Sequence, residues 1–162
     1  MLNKESIDIF IELIGGENIA KDLVVKALEK KVHVVTANKA LIALHGSEVS
    51  KLSLKNEREI LYEASVAGAV PIVKVIRESL SANDIEWIAG IINGTTNYIL
   101  TEMLISEKSF DAVLQEAKDL GYAESDPSFD IGGIDAAHKL TILASICFGI
   151  PLSLSLIHIS EP

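Results

Sequence analysis

One cysteine, Cys147, stands among the 162 residues, so no internal disulfide can form. Its apolar surroundings point to a structural thiol in a reducing, intracellular setting, which places the protein in the cytoplasm. Blocks of Lys or Arg are missing: 23 acidic side chains against 14 basic give a formal charge of −9. That balance excludes a surface able to neutralise a run of phosphates, and with it nucleic-acid binding. No export signal is visible, because the amino-terminal MLNKESIDIFIEL carries acidic residues where a positive segment and then an unbroken apolar one are required. His33, His45, His138 and His158 share no metal-ligand spacing with the cysteine or an acid, so no zinc centre is expected. There is no internal repeat and no low-complexity linker.

Charge is also missing between Lys139 and Glu161, a span about long enough to cross a bilayer. Gly149-Ile150-Pro151 would break a helix midway, several serines and His158 dilute the hydrophobicity, and no aromatic or basic anchors flank the stretch. A membrane span is therefore not expected. The last residues, LSLIHISEP from Leu154 to Pro162, resemble translated adapter sequence, and 154–162 is read as a non-native tail.

What is present is enough apolar material, 49% of residues, for one ordinary core or for parts of two domains. Residues Ile7 to Leu13 alternate, with Ile7, Ile9, Ile11 and Leu13 on one face and Asp8, Phe10 and Glu12 on the other, until Gly15-Gly16 stops the run. Ala20, Leu23, Val24, Ala27 and Leu28 recur at helical spacing, and Val32 to Thr36 is a short β-branched run. Strand, helix, strand implies a parallel crossover. A helix from about Ser47 and a strand around Ile60 to Glu63 extend it. The fold class is α/β: the carboxy-terminal half of a doubly wound, Rossmann-like parallel sheet over residues 1–64, followed by a second, α+β domain over 65–153. The glycine-rich phosphate turn Gly-x-Gly-x-x-Gly does not occur, so the first half of the sheet is absent and apolar faces it would cover are expected to be exposed.

In the second part, Pro71 fits the first position of a helix with Ile72, Val75, Ile76 and Leu80 buried, and Ile85 to Ile92 reads as an apolar strand. A helix follows Asn93-Gly94. Ser109 caps another, with Phe110, Val113, Leu114, Ala117 and Leu120 inward, ending at Gly121. The loop from Gly121 to Asp130 carries three carboxylates, and Gly132-Gly133 leads into a helix through roughly Phe148. Asp135 and Lys139 lie four apart on that helix and share a face. On a solvated helix this would be a common surface ion pair. Here Leu140, Ile142, Leu143 and Ile146 lie all round the helix, so it is buried and its lysine must face a cleft or a partner.

Ala117, Gly121-Tyr122-Ala123, Asp126-Pro127, Asp130-Ile131, Gly133, Asp135 and Lys139 together resemble the signature of homoserine dehydrogenases, without a departure at a fixed position. Glu12-Leu13-Ile14-Gly15-Gly16, Val34-Val35-Thr36-Ala37-Asn38-Lys39 and Glu63-Ala64-Ser65-Val66-Ala67-Gly68 are similar to other segments of that family. The resemblance implies NAD(P)-dependent interconversion of L-homoserine and L-aspartate 4-semialdehyde, in threonine, methionine and isoleucine biosynthesis, by a homodimeric enzyme. It gives Lys139, held by Asp135, the acid–base role, with Lys39 beside cofactor and substrate. Glu124 and Asp130 would bind the substrate's ammonium and hydroxyl groups. Lys39, Thr36 and Gly15 would line the cofactor cleft, and Glu63, Val66, Gly68 and Val70 would hold a monovalent cation such as sodium. From spacing alone, the turn after Glu63 reads instead as a hinge. The chain alone is expected to be weakly active or inactive. Rival readings are a related amino-acid dehydrogenase and a non-catalytic dimerisation or interaction module.

Overall fold

The computed structural model describes residues 7–154. Three short β-branched segments pair side by side, because the first two are each followed by a helix long enough to carry the chain back to the same end of the sheet. These are β1 (Ile9–Glu12), β2 (His33–Thr36) and β3 (Ile60–Leu61), parallel, in the order β1-β2-β3. The register sets Phe10 beside Val34 and Glu12 beside Thr36, with Val34 beside Ile60. The crossovers are α1 (Asn18–Glu29) and α2 (Lys39–Asn56), which pack against each other.

Helix α1 turns Ala20, Val24, Ala27 and Leu28 inward, a one-sided stripe at helical spacing. Helix α2 starts at Lys39, well before the expected Ser47, because the Asn38 side chain accepts from the Leu41 N–H at 3.0 Å and caps it. Val24, Leu28, Val34, Leu41, Ile42, Val49 and Ile60 form the core of this unit.

The sheet's faces are unequal. Phe10, Glu12, Val34, Thr36 and Ile60 share the covered face, whereas Ile9 and Ile11 remain 56% and 61% exposed. The more apolar side of β1 is thus the open one, and Leu13, Ile14 and Ile19 are exposed as well. A parallel strand expects cover on both faces.

After β3 a 3₁₀ turn (Glu63–Ser65) leads into α3 (Ile72–Lys74), which widens into a π turn over Val75–Ser79. Pro71 stands just outside α3 instead of at its first position. Val73 and Ile76 are buried, while Val75 and Leu80 are exposed, unlike the expected stripe. The wider turn accounts for Leu80, since one π turn shifts the phase of every later residue.

The described residues divide into two compact units, one from 7–86 together with 138–154, the other Trp87–Ala137. Residues 84–93 have no regular structure, so the expected strand Ile85–Ile92 does not form. A strand needs a partner for its backbone groups, and the sheet among the described residues takes only β1, β2 and β3. The second unit contains α4 (Gly94–Ser106), α5 (Phe110–Asp119) and α6 (Ser128–Ile131), and α7 (Ile134–Phe148) begins in it. Ile99, Val113, Ala117 and Ala123 are its core; Phe110 and Leu120, expected inward, are exposed at the ends of α5. Farther along α7, Ile142 is buried in the core of the first unit. No helix among the described residues is long and apolar enough to cross a membrane. Of the tail 154–162, residues 155–162 lie outside the described residues.

Candidate active site

In open parallel sheets, ligands bind beyond the carboxyl ends of the strands. Two of those ends, Glu12 and Thr36, are neighbours in register. Glu12 is fully buried, and a buried carboxylate must be satisfied by donors. Its Oε2 accepts from Thr36 Oγ1 at 2.6 Å, and its Oε1 accepts from the backbone N–H groups of Ile14 at 2.8 Å and Gly15 at 3.0 Å. Thr36 Oγ1 in turn accepts from Asn38 N at 3.0 Å, and Asn38 Nδ2 donates to Gly16 O at 2.7 Å. Gly15 and Thr36, both expected at the cofactor cleft, are therefore joined through Glu12.

Gly15 and Gly16 have φ of 76° and 71°, and a Cβ on either would meet nothing within 4 Å. This loop offers bare backbone to open space, as a dinucleotide requires. Lys39 is half-buried and is the first residue of α2.

A second bonded group gathers the acidic residues of the Trp87–Ala137 unit. Asp135, 3% exposed at the head of α7, accepts from Asn93 Nδ2 at 2.9 Å, and the same nitrogen donates to Asp130 Oδ1 at 2.8 Å. Asp130 belongs to α6, a short helix within the expected loop. Glu124 is exposed on the loop before it. That loop begins at a tight helix end: Tyr122 N donates to Ala117 O at 2.8 Å and Gly121 N to Lys118 O at 3.0 Å, with Gly121 at φ 79°. The Tyr98 and Tyr122 rings pack with centroids 4.7 Å apart, and Thr95 Oγ1 donates to Tyr122 O at 2.8 Å. The Ser128 side chain and the Ser128 N–H both hydrogen-bond to Asp126 and hold its carboxyl below the usual aspartate range.

Lys139 lies on α7, one turn after Asp135, and is half-buried. Glu63 points its two carboxylate oxygens at the start of α3, accepting from Val73 N at 2.9 Å and Lys74 N at 2.8 Å. Between them, Ala67 and Ala69 take left-handed backbone with φ of 48° and 67° on either side of Gly68, and Val70 O accepts from Ile72 N at 2.8 Å. Glu12, Asn38 and Asn93 enter the sequence reading only within motifs or as a helix start, not as site residues. Asn38 before an apolar helical run carried a cap signal, whereas Glu12 and Asn93 find their acceptors or donors far along the chain.

The family model described as homoserine dehydrogenase matches residues 71–161, and the one described as homoserine dehydrogenase, NAD binding domain, matches residues 1–63. The chain belongs to the homoserine dehydrogenase family. It is 60% identical over 146 residues to the homoserine dehydrogenase of Pseudomonas aeruginosa, covering 90% of this chain and 34% of that protein. It is 50% identical over 155 residues to that of Neisseria gonorrhoeae, covering 96% and 36%. Among solved structures, a homoserine dehydrogenase from Thiobacillus denitrificans superposes with a TM-score of 0.92 at 54% identity, over 95% of this chain and 36% of that one. A hyperthermophilic archaeal homoserine dehydrogenase in complex with NADPH gives 0.82 at 37% identity, over 89% and 44%. The chain thus spans about a third of the length of the curated homoserine dehydrogenases it matches. These neighbours share its α/β architecture with a parallel sheet.

Proposed function

We propose that the whole protein is an NAD(P)-dependent oxidoreductase that interconverts L-homoserine and L-aspartate 4-semialdehyde in threonine, methionine and isoleucine biosynthesis. One observation carries the chemistry: Asp130 and Asp135 meet on a single buried amide at the head of the helix that bears Lys139. Oxidising a primary alcohol requires a base for the hydroxyl proton while hydride leaves the same carbon. Bound NAD or NADP supplies the hydride acceptor. The Lys139 amine takes the hydroxyl proton; Asp135, one helical turn earlier, orients it, and Lys39 completes the proton-handling set. Glu124 and Asp130 accept hydrogen bonds from the substrate's ammonium and hydroxyl groups.

The Gly15-Gly16 loop, Thr36 and Lys39 fit the nicotinamide side of such a cofactor, since the loop is open and pinned from below by Glu12. The glycine-rich turn that would hold the pyrophosphate is not among these 162 residues, so the chain by itself is inactive or nearly so. Residues 1–64 form the nucleotide side and 65–153 the substrate and dimerisation side, a division supported by the two family matches. The carboxylate of Glu63 and the carbonyls of Val66, Gly68 and Val70 are hard oxygen donors suited to sodium, and Glu63 also anchors the start of α3. The enzyme works in the cytoplasm as a homodimer.

The test is to supply the whole protein with L-homoserine and either nucleotide and to follow nucleotide reduction. Homoserine-dependent reduction is expected. No reduction with either nucleotide, or a clear preference for another amino acid, would overturn the assignment.

A further inference from the structure

We propose that Asn93 is the positioning residue of the acidic substrate site, fixing the orientation of both Asp130 and Asp135. The inference rests on the roles just given to those two carboxylates. Asn93 is only 7% exposed, and its side chain is used at both ends. Nδ2 carries two protons, and it donates to Asp130 Oδ1 at 2.8 Å and to Asp135 Oδ2 at 2.9 Å. Oδ1 accepts from Thr96 N and from Thr96 Oγ1, each at 2.8 Å. The amide has one workable orientation: rotated by half a turn, its oxygen would face two carboxylates and its NH₂ would face the Thr96 N–H.

The arrangement combines two functions that separate chemically. As the residue before α4, Asn93 caps that helix through its oxygen. As a donor, it ties together carboxylates 37 and 42 residues further along the chain. Asp would keep the cap and bring a third carboxylate against the other two. Ser would keep the cap and present one hydroxyl, too short and with too few protons for both acids. Thr96 and the α4 terminus hold the amide still, so the two carboxylates inherit a fixed geometry before substrate arrives.

The test uses Asn93→Ser and Asn93→Asp in the whole protein, with Asp130→Asn and Asp135→Asn as controls. Both Asn93 variants are expected to lower kcat/KM for homoserine about ten- to a hundredfold, Asp more than Ser, while the nucleotide KM stays within about twofold. A merely structural role would move both substrates together. If the Asp130 and Asp135 variants are impaired and both Asn93 variants work like the parent, the proposal fails alone. If the Asp130 and Asp135 variants turn over homoserine normally, the roles of the carboxylates fail, and this proposal with them. Should the Asn93 variants not fold, hydrogen exchange of the Asn93 side-chain amide in the unaltered protein decides: slow exchange supports the clamp, and exchange at the rate of a free amide overturns it.

Discussion

Thr36 Oγ1 donates to Glu12 Oε2 at 2.6 Å, linking the ends of two adjacent parallel strands beneath the Gly15-Gly16 loop. The loop's backbone hangs from the other oxygen of the same carboxyl group, so the two strand ends and the loop share one buried side chain. Such a network is stiff when complete and costly when one member is removed.

Glu12→Ala removes the acceptor for Ile14 N, Gly15 N and the Thr36 hydroxyl at once. The expected loss is about 3 kcal/mol or more, because buried donors are left without partners. Denaturant unfolding of the whole protein checks this through a lower midpoint at unchanged slope. The nucleotide KM should rise with it, since the loop is no longer held; an unaltered midpoint contradicts the network's role.

Gly121 ends α5 in left-handed backbone at φ 79°, with space around it for a methyl group. Gly121→Ala therefore introduces backbone strain without a clash, and about 1 kcal/mol of stability should be lost. The same denaturant experiment measures it. Because Tyr122 N bonds back to Ala117 O across this residue, the near-ultraviolet signal of the Tyr98–Tyr122 pair should weaken too.

Asp126 supports the turn into α6 through its bonds with Ser128. Its folded pKa is depressed, so the ionised form is favoured by folding. That support is present above the ordinary carboxyl value, near pH 4 or about there, and is lost as pH falls through the lower folded value. The Ser128 amide resonance should titrate with a midpoint below that of an aspartate in an unfolded peptide, and Asp126→Asn should abolish the transition. A midpoint at or above the peptide value contradicts the assignment.

Local rules made much of the fold legible. The strand–helix alternation of the first half, the capped start of α5 at Ser109, its stop at Gly121 and the extent of α7 all follow from periodicity and end signals within a few residues. What failed was non-local. Ile85 to Ile92 has the pattern of a strand, yet pattern alone supplies no partner for its backbone. The alternation in β1 divides its faces correctly but cannot say which one the helices cover; Glu12 goes inside because Thr36, 24 residues later, meets it there. The acidic residues of the site stand out as a cluster in sequence, whereas Asn93, which joins two of them, looks like an ordinary helix cap until α6 and α7 fold back on it. Helix α2 starts earlier than its apolar periodicity indicates for a local reason: the Asn38 side chain accepts from Leu41 N and caps it there.

The most direct measurement is homoserine turnover at saturating nucleotide by the whole protein carrying Lys139→Ala. Removing a positioned base should lower kcat for homoserine oxidation about a hundred- to ten-thousandfold, with nucleotide affinity nearly unchanged. A variant that folds, binds nucleotide and turns over homoserine at the parent rate would contradict the role assigned to the α7 lysine.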